Sequence, residues 1–208
     1  MSEEAASYEV EKPRKFFDEH WNVQDKDKTD GVSSGRGWVI LWDSDETDPP
    51  FQFAVTRYVI GAVIGRIRFY QDGKFGCAEN KEALDHLCVA AQILGGLAGC
   101  LPPGKREHWL DKNGNPAGGF SCGEGYLISW QNGPLGKIGS PERKAPNGAF
   151  VEDIIEAIAS RLRRISHLYK NPKVVKSALH HLLCANEALD SRTKRRMAAK
   201  TEGTHEGN

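Results

Sequence analysis

The chain has 208 residues, with 28 basic and 28 acidic side chains, so its net charge gives no reason to expect a nucleic-acid or membrane partner. No apolar run approaches the roughly 18 residues that read as a membrane-spanning helix. Its five cysteines form no CxxC pair, which argues against a structural zinc site and, without a signal sequence, fits a reducing cytoplasm.

The polar N-terminus is followed by a stretch that occurs twice. We expect residues 1–18 to be flexible. The stretch "EHWNVQDKDKTDGVSSGRGWVILW" at 19–42 then matches "EHWLDKNGNPAGGFSCGEGYLISW" at 107–130, a shift of 88 positions, with nine identities in 24. Chance does not give this agreement, so the sequence predicts two diverged copies of one unit.

The second part of each copy aligns with a different shift. Residues 55–101 match 150–196 without a gap at a shift of 95, and the seven extra residues of copy two fall in a loop, which absorbs insertions at little cost. The predicted organisation is a fused pair of small domains that once formed a symmetric dimer. Its boundaries are repeat 1 at 19–101, a linker at 102–106, repeat 2 at 107–199 and a tail at 200–208.

Each copy shows the same order of predicted elements. The runs "GWVILW" and "GYLISW", with an Asn-Gly turn signal in copy two, predict a small antiparallel β-meander. Apolar residues at every third or fourth position then predict a helix with Asn147 as its N-cap and Glu152 and Asp153 in its first turn. The apolar stripe of this helix is Phe150, Ile154, Ile155, Ile158 and Leu162. A second predicted helix carries an apolar stripe at Val175, Leu179, Leu182, Leu183 and Leu189. The predicted fold is α+β, with two tandem repeats that each contain a β-meander followed by an antiparallel helical hairpin.

Charge is distributed unevenly along the chain. Residues 161–200 hold 11 basic and 2 acidic side chains, whereas residues 1–50 hold 13 acidic and 6 basic ones. The last helices therefore carry a positive field, which suits an anionic ligand but equally describes a solvated helical face.

The differences between the copies indicate a nucleotide site. Arg192 and Arg196 are spaced i, i+4 on one helix face, where two guanidinium groups could clamp a phosphate. An aromatic pair, Phe69 and Tyr70, and Asn80 at the start of a helix suit a nucleobase and a ribose. Each copy lacks the other's half of this set; the replacing residues are Leu97 and Leu101 in copy one, and Arg164, Ile165 and Val175 in copy two. One composite pocket would explain the split, although core aromatics, a capping asparagine and cations at a helix end explain the same residues without a ligand.

Several stretches resemble one known family, the Thoeris anti-defence type one sponges of phages, whose helical hairpin is shared with the type two anti-CBASS sponges. In copy two these are "GYLISWQNGPLG", "NGAFVEDIIEAIASRLR" and "ANEALDSRTKRRMAAKTEGTH". In copy one, "RFYQDGKFGCAEN" resembles the helix–turn–helix junction of the family. The resemblance covers most of 107–205 and, more loosely, 19–101.

The resemblance implies a β-region plus a helical hairpin, assembly into larger rings, and sequestration of a cyclic ADP-ribose signal without cleavage, in the cytoplasm of an infected bacterial host. It implies no cofactor. A fused dimer would reach the family's hexameric shape as a homo-oligomer, a trimer of chains. The family's ligand contacts correspond by position to Tyr70 or Phe69, to Asn80, and to Arg192 with Arg196. We add the neighbouring Thr193 and Arg195 to this predicted ligand set, and His205, which matches the family tail.

Three other functions stay open at this stage. A sponge for cyclic di- or trinucleotides would use further basic residues, namely Lys173, Lys176, Lys194 and Arg195. An enzyme that degrades such a signal is disfavoured because the seven histidines form no HExxH motif and no nucleophile motif is present. A nucleic-acid-binding protein could use the basic C-terminal region, although the neutral net charge argues against it.

Overall fold

The computed structural model describes residues 31–43, 53–95, 106–110, 116–131 and 148–202. These residues form an antiparallel β-sheet and α-helices, which confirms the predicted α+β class. We call residues 31–95 the first half and residues 106–202 the second half. The predicted flexible N-terminus and most of the loop between the sheet and the helices of the second half lie outside the described residues.

Strands from both halves share one sheet. The strands are β1 (Val32–Gly35), β2 (Trp38–Leu41), β3 (Arg106–Leu110), β4 (Pro116–Gly123) and β5 (Tyr126–Ser129). Their order is β1-β2-β5-β4-β3, and every neighbouring pair is antiparallel. The sequence predicts a separate meander in each copy. The described strands instead join the hairpin β1–β2 to the meander β3–β4–β5 through the pair β2–β5.

The β2–β5 pair has an approximately symmetric register. Val39 pairs with Leu127, the residue that a shift of 88 makes its counterpart, and Trp38 pairs with Ile128 while Ile40 pairs with Tyr126. The turns before β2 and β5 also correspond, because Gly37 and Gly125 have φ of +77° and +70°. A Cβ atom at Gly125 would lie 2.5 Å from the backbone nitrogen of Ala54, so glycine is required there for both conformation and space.

Each half continues into two helices. They are α1 (Thr56–Gln71), α2 (Ala78–Ile93), α3 (Val151–Ile165) and α4 (Pro172–Glu202), with a short 3₁₀ turn at Ser166–Leu168 between the last two. Glu152 and Asp153 occupy the first turn of α3, as predicted. The predicted N-cap at Asn147 is wrong, because α3 begins at Val151 and follows Phe150 in extended conformation. Helix α4 continues to Glu202 and so includes the first residues of the predicted tail.

One hydrophobic core contains residues of both halves. Trp42 and Trp130 lie at its centre, and Ile154, Ile155, Ile158 and Leu162 of the predicted α3 stripe are buried in it. Helices α2 and α4 form the most extensive helix–helix contact. Leu183 does not belong to this core: the sequence predicts it in the apolar stripe of α4, but it is 44% exposed.

Candidate functional site at the junction of α2 and α4

Two buried arginines connect the halves. Arg66 of α1 donates through Nη1 to the carbonyl oxygen of Gly118 at 3.0 Å and through Nη2 to that of Gln131 at 3.1 Å. Arg161 of α3, its counterpart at a shift of 95, donates through Nη2 to the carbonyl oxygen of Asp43. Each guanidinium therefore bonds to the backbone of the other half, where burial makes a lost partner costly.

Arg66 also fixes the position of an aromatic side chain. Its Cζ atom lies 4.5 Å from the ring centroid of Tyr70 and 5.8 Å from a Trp130 ring centroid, both within the range of cation–π attraction. Burial lowers the pKa of Arg66, and the neighbouring Tyr70 opposes that shift. Phe69 lies beside this group, with its centroid 6.4 Å from that of Tyr70 and 5.7 Å from Arg66 Cζ. The predicted aromatic pair thus stands at the end of α1, held by a residue that reaches into the second half.

Asn80 is completely buried and uses both ends of its amide. It is the third residue of α2, as the sequence predicts, and its Nδ2 atom donates to the carbonyl oxygen of Phe75 at 2.9 Å. Its Oδ1 atom accepts a hydrogen bond from Arg192 Nη1 at 2.8 Å. The residue that precedes the helix is Cys77, so Asn80 is not the N-cap.

Arg192 brings the predicted residues of the two halves together. Its side chain is 11% exposed; Nη2 lies 3.3 Å from Glu152 Oε1, and Cζ lies 6.0 Å from the ring centroid of Tyr70. The cation thus contacts an asparagine of α2, a carboxylate of α3 and the face of an aromatic ring of α1. The assembly consists of Arg66, Tyr70, Asn80, Glu152 and Arg192. It contains one aromatic ring, one amide and one guanidinium group of the predicted set, from Tyr70, Asn80 and Arg192.

An ion pair lies at the exposed edge of this assembly. Arg195 Nη2 lies 2.7 Å from Glu79 Oε2, and the arginine side chain is 61% exposed. A hydrogen bond from the backbone at the start of α2 lowers the pKa of Glu79, with smaller contributions from Arg195 and Arg192. Only the arginine end of the pair is exposed, since the Glu79 side chain is 14% exposed. Water screens the charge of Arg195, so the exchange of Glu79 for another anion would cost little stability.

The remaining predicted site residues are less informative. Thr193 is half-buried on α4 next to Arg192. Arg196 follows one helical turn after Arg192 on α4, as predicted, but its side chain is not among those described. His205 lies outside the described residues.

Sequence reasoning missed two members of the assembly, Arg66 and Glu152. Arg66 and Arg161 agree between the copies and lie within apolar stripes, and this identity was the signal that marks a buried arginine. For Glu152 the sequence predicts only a favourable interaction with the helix dipole. Glu152 and Arg192 are far apart in sequence, and nothing in the sequence indicates that their side chains meet.

The counterpart positions in the other half lack this chemistry. Val175 and Ile165 stand where the assembly has Asn80 and Tyr70, and both are buried in the core. Arg164 is exposed and lies against Gly31, so that a Cβ atom there would be 2.5 Å from its Nη1. Leu97 and Leu101 lie outside the described residues.

Comparisons add no relative to this description. The chain matches no family model, no curated protein and no solved structure. Within the described ranges, no group of three or more His, Cys, Asp or Glu side chains is arranged to hold a metal ion. The helices of these ranges include none that is both long enough and apolar enough to cross a membrane.

Proposed function

We propose that the chain consists of two tandem repeats related by an approximate two-fold axis. Matching contacts support this organisation: Trp42 Nε1 donates to Ser33 Oγ at 2.7 Å, and Trp130 Nε1 donates to Ser121 Oγ at 2.9 Å, the same pair shifted by 88. The exchanged arginines and the β2–β5 register agree with the same axis. In this organisation a site at the α2–α4 junction is composite, because each repeat supplies one of the two helices.

The proposed function is to bind and sequester a cyclic ADP-ribose-type signalling nucleotide at the α2–α4 junction, without cleaving it. The observation that supports it best is that Arg192 of the second half lies against both Asn80 and Tyr70 of the first. A stacking ring, an amide and a guanidinium are the groups that a base, a ribose and a pyrophosphate require. Binding alone would be the activity, since a protein in excess over a messenger lowers its free concentration.

Glu152 in the assembly and Glu79 at its edge give this proposal a specific consequence. Arg192 and Arg195 already have carboxylate partners, Glu152 and Glu79. A ligand phosphate would replace one or both carboxylates, and the displaced carboxylates would accept hydrogen bonds from ribose hydroxyls. In this proposal Glu152 and Glu79 hold Arg192 and Arg195 in place until a ligand binds.

The geometry favours a small ligand over a cyclic oligonucleotide. Lys173 and Lys176 stand at the start of α4, 16 to 19 residues before Arg192, which corresponds to about 24–28 Å along a helix. Lys194 lies 2.7 Å from Asp190 Oδ2, its own i, i+4 partner. Of the four basic residues that would contact additional phosphates, Arg195 alone lies at the edge of this site.

Calorimetry tests the proposal. The purified chain is titrated with cyclic ADP-ribose isomers and, in parallel, with cyclic di- and trinucleotides, and bound ligand is released by heat and weighed by mass spectrometry. We expect one intact ADP-ribose-type ligand per chain, with binding lost in Asn80→Val and in Arg192→Met. Arg163→Met is the matched control, because it removes an exposed arginine of α3 that pairs with Glu156.

Other results would replace the proposal. Binding only of the cyclic di- or trinucleotides would make the chain a sponge for those messengers. Recovery of a cleaved ligand would make it an enzyme. No binding of any of these would end the sequestration hypothesis. The proposed homo-oligomer, a trimer of fused dimers, is tested separately by light scattering, where the mass of a single chain would refute it.

A further inference from the structure

A pair of histidines connects α2 and α4 outside the assembly described above. His86 of α2 and His181 of α4 are counterparts at a shift of 95, and their Nδ1 atoms are 3.0 Å apart. The ring centroids are 5.3 Å apart and the rings are tilted by 38°. Both side chains are half-buried. The two nitrogens therefore lie within hydrogen-bond distance of each other between the helices.

Two further groups that bind metals flank this pair on α4. The ring of His180 lies 5.4 Å from that of His181, and the Sγ atom of Cys184 lies 3.7 Å from His180 Nε2. The 3.0 Å contact between His86 and His181 joins the two helices. His180 and Cys184 contact each other on α4 and are not part of this contact.

The 3.0 Å separation suits two ligands of one ion. Imidazole nitrogens bound at about 2.0–2.1 Å are separated by about 2.9–3.4 Å when the angle at the ion is about 90–110°. Only neutral imidazoles bind metals, and burial, followed by the neighbouring rings of His86 and His180, lowers the pKa of His181 and favours that form. In the hydrogen bond between two neutral rings, one Nδ1 donates its proton and the other accepts it. Binding of a metal ion by both Nδ1 atoms therefore requires the donor ring to adopt the tautomer that carries its proton on Nε2.

We propose that His86 and His181 bind one first-row divalent transition-metal ion through their Nδ1 atoms and so bridge the two halves. In the described part of the chain no third ligand completes the set, and water fills the other coordination positions. The site is therefore weaker than a structural zinc site, and it selects ions that favour imidazole, with Cu²⁺ bound more tightly than Zn²⁺ or Ni²⁺.

The test uses the full chain and Cu²⁺ alone. Electron paramagnetic resonance of the wild-type protein with one equivalent of Cu²⁺ should show coupling to two nitrogens. Calorimetry should show binding that His86→Gln and His181→Gln each weaken by at least about tenfold, since even the loss of a supporting contact around a metal costs that much. His180→Gln and Cys184→Ser are the matched controls and should bind as the wild type does.

A thermal measurement gives an independent readout. Zn²⁺ should raise the melting temperature of the wild-type chain, a chelator should reverse the rise, and His181→Gln should abolish it. Circular dichroism shows whether each variant is folded. The electron paramagnetic resonance spectrum of the wild-type protein tests the site even if a variant fails to fold. A spectrum without two coupled nitrogens, unchanged affinity in the two glutamine variants, or loss of binding in His180→Gln would each overturn the assignment.

Discussion

The hydrogen bond between Asn80 and Arg192 is the contact on which the composite site depends. It can be tested by replacing Asn80 with the residue type found at the counterpart position of the other half. Asn80→Val introduces the residue found at the counterpart position, Val175, which is buried in the other half. The substitution removes two hydrogen bonds of 2.8 and 2.9 Å from a completely buried side chain. A bond to a charged group contributes about 1.5–3 kcal/mol and a neutral one about 1 kcal/mol, while the apolar valine recovers about 1 kcal/mol. We expect a loss of about 1.5–3 kcal/mol in the free energy of unfolding.

A double-mutant cycle isolates the contact between the halves. The variants are Asn80→Val, Arg192→Met and the combination, measured by urea unfolding, and the expected coupling is about 1.5–3 kcal/mol, the contribution of one charge-assisted bond. The control cycle uses Arg163→Met with Glu156→Gln, an exposed pair at 3.3 Å, whose coupling should stay below about 0.5 kcal/mol.

The result that refutes this reasoning is a coupling no larger than that of the control. It would mean that Arg192 does not reach Asn80 in solution, and the composite site would lose its central contact before any ligand is tried. A coupling in the expected range with no nucleotide binding would instead leave the geometry standing and reject only the function.

Three other predictions concern the histidines, a turn and a buried indole. Because burial, and then the neighbouring rings, lower the pKa of His181 in the folded chain, the unfolded state binds more protons below about pH 6.5. Stability should therefore be full above that pH and fall as the pH drops towards the folded pKa, and His181→Leu, which removes the titrating group, should flatten this fall in melting temperature between pH 7.5 and 5.5. Gly125→Ala should cost at least about 3 kcal/mol and Gly95→Ala about 1 kcal/mol in urea unfolding, since both have positive φ but nothing lies within 4 Å of a Cβ at Gly95; equal losses would contradict the close approach at Gly125. Trp130→Phe should lower the free energy of unfolding by about 2 kcal/mol, because it leaves a buried serine hydroxyl without its 2.9 Å donor. A loss below about 0.5 kcal/mol would show that the bond contributes nothing net.

The helices were predictable because their apolar period is a local property of the sequence. The α3 stripe from Ile154 to Leu162 is buried as expected. The α4 stripe was partly wrong for a physical reason: Ala178 and Ala185 are buried while Leu183 is exposed. Small side chains let α2 and α4 approach closely, and a search for large apolar residues overlooks them.

The single sheet and the partners of the arginines were not predictable in the same way. The pairing of β2 with β5 places Val39 opposite Leu127, which is 88 positions away. The sequence of neither strand indicates which of its edges pairs with the other half. Arg66 was visible as an identity between the copies, but its carbonyl partners in the second half depend on the packed arrangement. The split of Tyr70 and Asn80 from Arg192 could be anticipated because it shows in the alignment of the chain with itself.

The exchange of Arg66 and Arg161 makes the two halves one cooperative unit. If the chain were cut between α2 and β3, each fragment would retain a buried cation whose acceptors had left with the other fragment, so neither fragment has a complete interior alone. Loss of either arginine would leave backbone carbonyl groups of the other half without their donor, whereas residues around the α2–α4 junction already differ between the halves. Under the proposed tandem-repeat organisation, one of two equivalent sites could therefore specialise while both halves stayed necessary for the shared interior.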